Sequence, residues 1–313
     1  MIQARAGLRR GAGGIDLDAA DTNTAEMRSP CDSPAGAARQ LPWREQLRRR
    51  RGWQWVQLGW SMSPEWSRVE VAVPRLSPML QAVRIVHLSD LHLKRRWPAA
   101  LEWLLERLRE HPPQLLLITG DLVEDLLDHR PALPLVRRFA EGLRASWGVF
   151  AIAGNHDGDL LGPRLGGWGI EYIDGRYVRL GGPEGQAGIE LIGLPGVRRS
   201  DLDDAFLERI PPRLPGVPRI VLGHFPDQVH AVRRLEADLM LAGHTHGGQI
   251  CLPGGRAVMS HDSLPKQMAR GQHRFGRTLL VVSRGLGTTR LPIRVFCPPQ
   301  VVEVTLRRGR AEE

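Results

Sequence analysis

Five short motifs, each following an apolar run, carry residue types that ligate metal ions: Asp90-Leu91-His92, Gly120-Asp121, Gly154-Asn155-His156-Asp157, Gly223-His224 and Gly243-His244-Thr245-His246. At a strand end, residues i and i+2 project to the same side, so Asp90 and His92 can grip one ion. Asp121 offers two carboxylate oxygens and can bridge two ions. Asn155 adds an amide oxygen that holds a cation without reducing its charge. His224, His244 and His246 supply imidazole nitrogens, which suit zinc, iron and manganese. The glycines before these residues let the backbone turn sharply and approach the site. Two divalent cations would bring about four positive charges, against anionic ligands only at Asp90 and Asp121. The cluster stays cationic even with a bridging hydroxide, which suits an anionic phosphate. A purely structural site would be closed by four strong ligands, often thiolates. No cysteine occurs in these motifs, so the set reads as catalytic: a dinuclear hydrolase.

Any one Gly-His or Asp-x-His arises by chance, and a lone histidine near an apolar run is normally a core or surface residue. The ordered set of five reverses that expectation. His87, His111, His129, His230, His261 and His273 lie outside the motifs and read as structural. Strand alternation turns His87 away from the face of Leu88 and Asp90. Arg290 and Arg294 read as surface arginines, either of which could reach a phosphate. Asp157 either supports a ligand from behind or makes a turn.

The strands and helices that carry these motifs are legible as hydrophobic periods. Strands are expected at 69–73, 83–88, 115–118, 149–153, 189–193, 220–223, 239–242, 278–283 and 301–306. Leu101, Leu104, Leu105 and Leu108 fall at helical spacing between Pro98 and Pro112-Pro113, and a second helix is expected over 133–144. Strand–helix alternation gives way to a strand-rich second half, so a layered α/β domain follows, its polar loops at the strand ends. Residues 67–313 form this domain. Residues 1–66 read as a disordered extension, or as upstream sequence from a misassigned start, ending in a Trp-rich segment at 51–66. That segment is either an amphipathic element for peripheral membrane contact or a flap on the catalytic domain.

The 313 residues are 42% hydrophobic, enough for a large core. The net charge of +9 is carried almost wholly by arginine, lysine occurring only at Lys94 and Lys266. This favours anionic partners or reflects a solvated basic surface. Cys31, Cys251 and Cys297 are far apart and in no metal-binding spacing, which argues against a disulfide framework and suits a reducing compartment. The stretch Trp53–Trp60 is too short and too polar to span a bilayer, and no signal peptide is evident. A cytoplasmic protein, peripheral to the inner membrane, is expected.

With these residues in hand, the chain resembles the calcineurin-like metallophosphoesterase superfamily over about residues 80–307. His87-Leu88-Ser89-Asp90-Leu91-His92, Gly223-His224-Phe225-Pro226-Asp227, Gly243–Gln249 and the tail Gly285–Pro299 resemble its bacterial YkuE/YaeI-type phosphodiesterase branch. The resemblance implies a four-layer αββα sandwich of two mixed β-sheets. It places Asp90, His92, Asp121 and His246 on one divalent ion, and Asp121, Asn155, His224 and His244 on a second. His156 corresponds to a histidine that contacts phosphate and protonates the leaving oxygen. Glu124 stands where an aspartate often orients that histidine, and the role is expected to pass to its carboxylate. Members of this branch often carry an N-terminal membrane segment, and none is found here. The implied reaction is phosphodiester hydrolysis by a metal-bridging hydroxide, with Mn²⁺ the expected ion and Zn²⁺ or Fe²⁺ the alternatives. The substrate is a phosphorylated small molecule or lipid. A monoesterase or a hydrolase of lipid-linked diphosphates is the alternative on the same fold. A nuclease is disfavoured because 262–277 is too short for a capping domain and aromatics are only 5% of the chain. A metal-free scaffold is disfavoured because every ligand position is filled.

Overall fold

Short runs of Leu, Ile and Val favour strands covered on both faces, and here they alternate with amphipathic helices. The computed structural model describes residues 56–59, 62–181, 188–198 and 201–309. The described residues begin with β1 (Val56–Leu58), β2 (Glu65–Pro74), β3 (Arg84–Leu88), α1 (Ala99–Glu110), β4 (Leu115–Thr119), α2 (Leu133–Gly142) and β5 (Val149–Ile152). There follow α3 (Gly158–Gly166), β6 (Glu171–Tyr172), β7 (Arg176–Gly181), β8 (Gly188–Gly193), α4 (Asp204–Glu208) and β9 (Arg219–Leu222). The last part holds α5 (Val229–Val232), β10 (Leu239–Ala242), β11 (Gly271–Phe275), β12 (Thr278–Val282), β13 (Ile293–Val295) and β14 (Gln300–Gly309).

One six-stranded sheet has the order β2-β14-β3-β4-β5-β6, with β14 antiparallel to β3 and every other pair parallel. The other has the order β11-β12-β10-β9-β8-β7, parallel at its centre and antiparallel at both edges. Period-two alternation divides each central strand between two cores. Ile85, Leu117 and Phe150 meet Leu191, Ile220 and Leu239 between the sheets. Val86, Leu88 and Ile118 pack outward on Leu104 and Leu108 of α1 and on Phe139 of α2. On the far side Val221, Met240 and Val282 pack on Phe206 of α4 and Val229 and Val232 of α5. The layers are therefore αββα, as expected. Burying each such side chain contributes about 1.5–3 kcal/mol. No helix among the described residues is long and apolar enough to cross a membrane.

The differences from expectation have local causes. Helix α2 stops at Gly142 rather than Arg144 because Leu143 is extended and the Arg144 guanidinium turns back onto the carbonyls of Glu141 and Leu143. Strands β2 and β14 outrun 69–73 and 301–306 because they pair with each other in parallel, from Gln300 with Glu65 to Gly309 with Pro74. The expected domain boundary at 66/67 thus falls inside a strand. Trp66 packs edge-on against Trp103 with ring centroids 6.2 Å apart, and the Arg107 guanidinium lies 4.7 Å from its ring. Upstream, β1 pairs antiparallel with β13. Within the 1–66 extension, Val56–Leu58 and the start of β2 at Glu65 are strand rather than disordered, while the expected disorder of residues 1–55 and the readings of Trp53, Trp55 and Trp60 lie outside the described residues.

Candidate metal centre

Asp90 and His92 follow β3, Asp121 follows β4, Asn155 and His156 follow β5, His224 follows β9, and His244 and His246 follow β10. Strands β3, β4 and β5 belong to one sheet and β9 and β10 to the other, so the set assembles across the two sheets, at the carboxyl ends of parallel strands. Asp90, His92, Asp121, His244 and His246 have left-handed backbones, with φ of 51°, 47°, 54°, 67° and 51°. That conformation costs roughly 1–3 kcal/mol per non-glycine residue, so neighbouring structure must hold it. The N–H groups of Asp90 and His92 donate to the carbonyls of Gly120 and Asp121, each at 3.0 Å. The N–H of His244 donates to the Asp90 carboxylate at 3.0 and 3.2 Å. A Cβ on Gly154 would collide with the Asp121 carboxylate, and one on Gly243 with Ser89 and Asp90.

Asp157 resolves to a supporting role. Its oxygens accept the N–H groups of Asp121 (2.7 Å), Leu122 (2.7 Å), Val123 (3.3 Å) and Gly154 (2.8 Å), clamping the turn that presents Asp121. Burial, and then the Asp121 charge, push this carboxyl up, yet both oxygens face donors and act as acceptors.

Asp121 stands at the middle of the set. Its Oδ2 lies 3.4 Å from both His92 Nε2 and His224 Nε2, while its Oδ1 accepts the His156 N–H at 2.8 Å. Ligand atoms gather in three overlapping groups: Asp90, His92 and His246; His92, Asp121 and His156; and Asp121, His224 and His244. Asn155 Oδ1 is 3.0 Å from His224 Nε2, which joins it to the third group. All the expected ligands therefore meet in one place.

Outer contacts fix how each imidazole points. His224 Nδ1 donates to the Thr119 carbonyl at 2.7 Å, turning Nε2 inward. Burial disfavours the charged ring of His224, but the Asp121 carboxylate overrides it and raises the pKa to about 9. Burial and the neighbouring His224 hold His244 down at about 3. The Glu124 carboxylate goes to His92, with Oε2 2.6 Å from Nδ1, and not to His156. Burial would raise that carboxyl, but contact with His92, the Arg290 N–H and Lys94 hold it at about 2. His156 Nδ1 instead meets the main-chain carbonyl of Glu124 at 2.7 Å. The residue expected beside His156 is thus in place, but through its backbone.

Arg294 departs from its reading as a surface arginine. It is 1% exposed, and its guanidinium donates to the carbonyls of Gly287 (2.9 and 2.6 Å), Arg284 (2.7 Å), Cys297 (3.3 Å) and His246 (3.3 Å). It staples the His246 loop to the segment before β13, and no local sequence signal distinguishes such an arginine from a solvated one. Arg290 is exposed, as expected. His87 is buried between the sheets, its Nε2 2.8 Å from Thr119 Oγ1, and burial alone lowers it to about 3.

The residues fit a pair of divalent ions. His244 Nε2 is buried without a hydrogen-bond partner, beside the Asp121 and His224 ligand atoms. His92 Nε2 and His246 Nε2 face each other at 2.9 Å. Two nitrogens about 2.1 Å from one ion and at right angles would stand about 3 Å apart.

Comparison with known proteins agrees. The family model of calcineurin-like phosphoesterases matches residues 83–248. The metallophosphoesterase YkuE of Bacillus subtilis is 32% identical over 236 residues, covering 72% of this chain and 79% of that protein. Phosphodiesterase YaeI of Escherichia coli is 30% identical, covering 71% and 82%. UDP-2,3-diacylglucosamine pyrophosphatase LpxG of Chlamydia muridarum is 27% identical, covering 75% and 87%.

Proposed function

Because the chain belongs to the calcineurin-like phosphoesterase family and is a phosphoric ester hydrolase, we propose that it cleaves phosphodiesters with two divalent ions and with His156 as the acid for the leaving oxygen. Asp90, His92, Asp121 and His246 hold one ion, and Asp121, Asn155, His224 and His244 the other. We take Mn²⁺ as the resident ion on the strength of the carboxylate and amide oxygens in the set, with Zn²⁺ and Fe²⁺, which its imidazoles suit, as the alternatives. Bound divalent ions supply Lewis acidity to phosphoryl oxygens and lower the pKa of the attacking water.

The chain's own part is orientation and proton transfer. Since a carbonyl oxygen only accepts, the Glu124 carbonyl keeps a proton on His156 Nδ1, so the proton that the doubly protonated ring gives to the departing alkoxide is the one on Nε2, and the ring is left as the neutral Nδ1–H form. The observation that carries the reading is Asp121 Oδ2, equidistant at 3.4 Å from a histidine of each ligand group. The net charge of +9 supports an anionic substrate and contact with an acidic membrane surface from the cytoplasmic side. The likeness to LpxG supports a second reading, hydrolysis of a lipid-linked diphosphate.

The test is to strip the protein of metal, restore Mn²⁺, Zn²⁺ or Fe²⁺, and compare aryl phosphodiester, phosphomonoester and diphosphate hydrolysis. Diester turnover is expected to be fastest. Silence with every ion overturns the enzyme, and faster monoester or diphosphate cleavage overturns the diesterase.

A further inference from the structure

A cavity of about 620 Å³ opens beside His92, in the size range of small-molecule sites, roughly 300–1,000 Å³. Most of its wall is apolar, including Met62, Leu91, Leu93, Ala100, Leu101 and Leu286. His92 and Glu124 line it as well, so it is continuous with the candidate metal centre. Lys94, Arg95 and Arg96, all exposed, stand at its edge together with the carboxylates of Glu124, Asp125 and Asp128, and Lys94 Nζ lies 3.4 Å from Glu124 Oε1. Trp97 forms part of the wall and is held in place: its indole N–H donates to Glu102 at 2.9 Å and the Arg138 guanidinium lies 4.1 Å from its ring.

The candidate metal centre, an edge of mixed charge and an apolar chamber thus lie side by side. A small polar diester would fill the first two and leave the chamber's wall against water, the costly arrangement for apolar surface. The loops that meet where Arg290 N–H donates to Glu124 (3.1 Å) also carry Leu126, Leu127 and Leu291, exposed by 58%, 98% and 56%. Isolated exposed leucines are ordinary, but these stand on the segments that flank the cavity. Resting on the phosphoesterase reading above, we propose that this cavity is a subsite for the hydrocarbon chain of an amphipathic phosphate ester whose phosphate sits at the metal centre.

The test uses the full-length, metal-loaded protein and p-nitrophenyl phosphodiesters of ethyl and octyl alcohol, each below its micelle concentration. The octyl ester is expected to show kcat/KM at least about tenfold higher, carried by KM, because each buried methylene adds to binding. Ala100→Phe, which fills the chamber, is expected to remove that preference while ethyl ester turnover stays within about twofold. Trp97→Ala is expected to weaken it and serves if Ala100→Phe does not fold. Calorimetric titration with ethylphosphonate and octylphosphonate separates the two claims. If no diester is cleaved, the diesterase reading fails, and tighter octylphosphonate binding, lost in Ala100→Phe, still supports the subsite. Equal affinity for the two phosphonates, or an octyl preference untouched by both substitutions, overturns it and leaves the cavity to another occupant, such as a segment within residues 1–55.

Discussion

At the scale of single residues, His156 and Glu124 divide two tasks that a sequence motif runs together. The carbonyl of Glu124 sets the tautomer of His156, while its carboxylate backs His92. His156→Ala is expected to lower turnover by roughly 10²–10⁴-fold, with metal content by elemental analysis unchanged. Loss of ions in that variant would make His156 a ligand. Glu124→Gln keeps the carbonyl but replaces the carboxylate. It is expected to weaken metal affinity by about 10–100-fold, with the pH profile of the saturated enzyme preserved. A profile altered at full metal occupancy would place the carboxylate on His156 after all. The pair of roles was half legible: the family resemblance implies a carboxylate at Glu124, but which of its oxygens faces which ring depends on how two loops approach.

At the scale of elements, the turns after the strands matter more than the strands. The turn after β5 begins with Ala153, whose N–H donates to Asp174 at 2.9 Å. Burial raises the Asp174 carboxyl to about 6, above its ordinary value of about 3.9. A raised folded-state pKa means that the native protein holds this proton more tightly than the unfolded chain. Ionising the group therefore costs nothing below about pH 4, costs increasingly from pH 4 to 6, and costs its full amount above. Asp174→Asn cannot ionise, so its melting temperature relative to the parent should rise between pH 4 and pH 8, by the equivalent of at most about 3 kcal/mol. A difference that is flat with pH would show that Asp174 titrates normally. Helix α1 and the core strands were readable because their periods are local and strong. Strands β2 and β14 were read short because the residues that extend them lack a clean alternation and are strands by virtue of pairing with each other.

At the scale of the whole molecule, the ligands come from strand ends in both sheets, so bound ions tie the two halves of the sandwich together. Ions that bind only the folded state stabilise it by mass action, by about 2.7 kcal/mol at a free concentration of 100 times Kd. Restoring metal to stripped protein should raise its melting temperature, and His156→Ala should keep that rise. Asp121→Asn should lose most of it, because the proposed ligand sets share Asp121, whose Oδ2 lies 3.4 Å from a histidine of each. An Asp121→Asn protein stabilised like the parent would remove the bridge.

The inventory and its local setting are legible in the sequence: which chemical groups are present, that each follows a buried strand, and that layered α/β architecture must carry them. Such information lives in windows of ten residues or fewer, where side-chain period and turn chemistry are decided. It takes the folded chain to show that β9 and β10 end opposite β3, β4 and β5, that Asp157 clamps four N–H groups, that Arg294 is a buried staple, and that an apolar cavity adjoins His92. Each of these depends on contacts between segments distant in the chain, and burial is a property of the packed surroundings that no residue type carries alone.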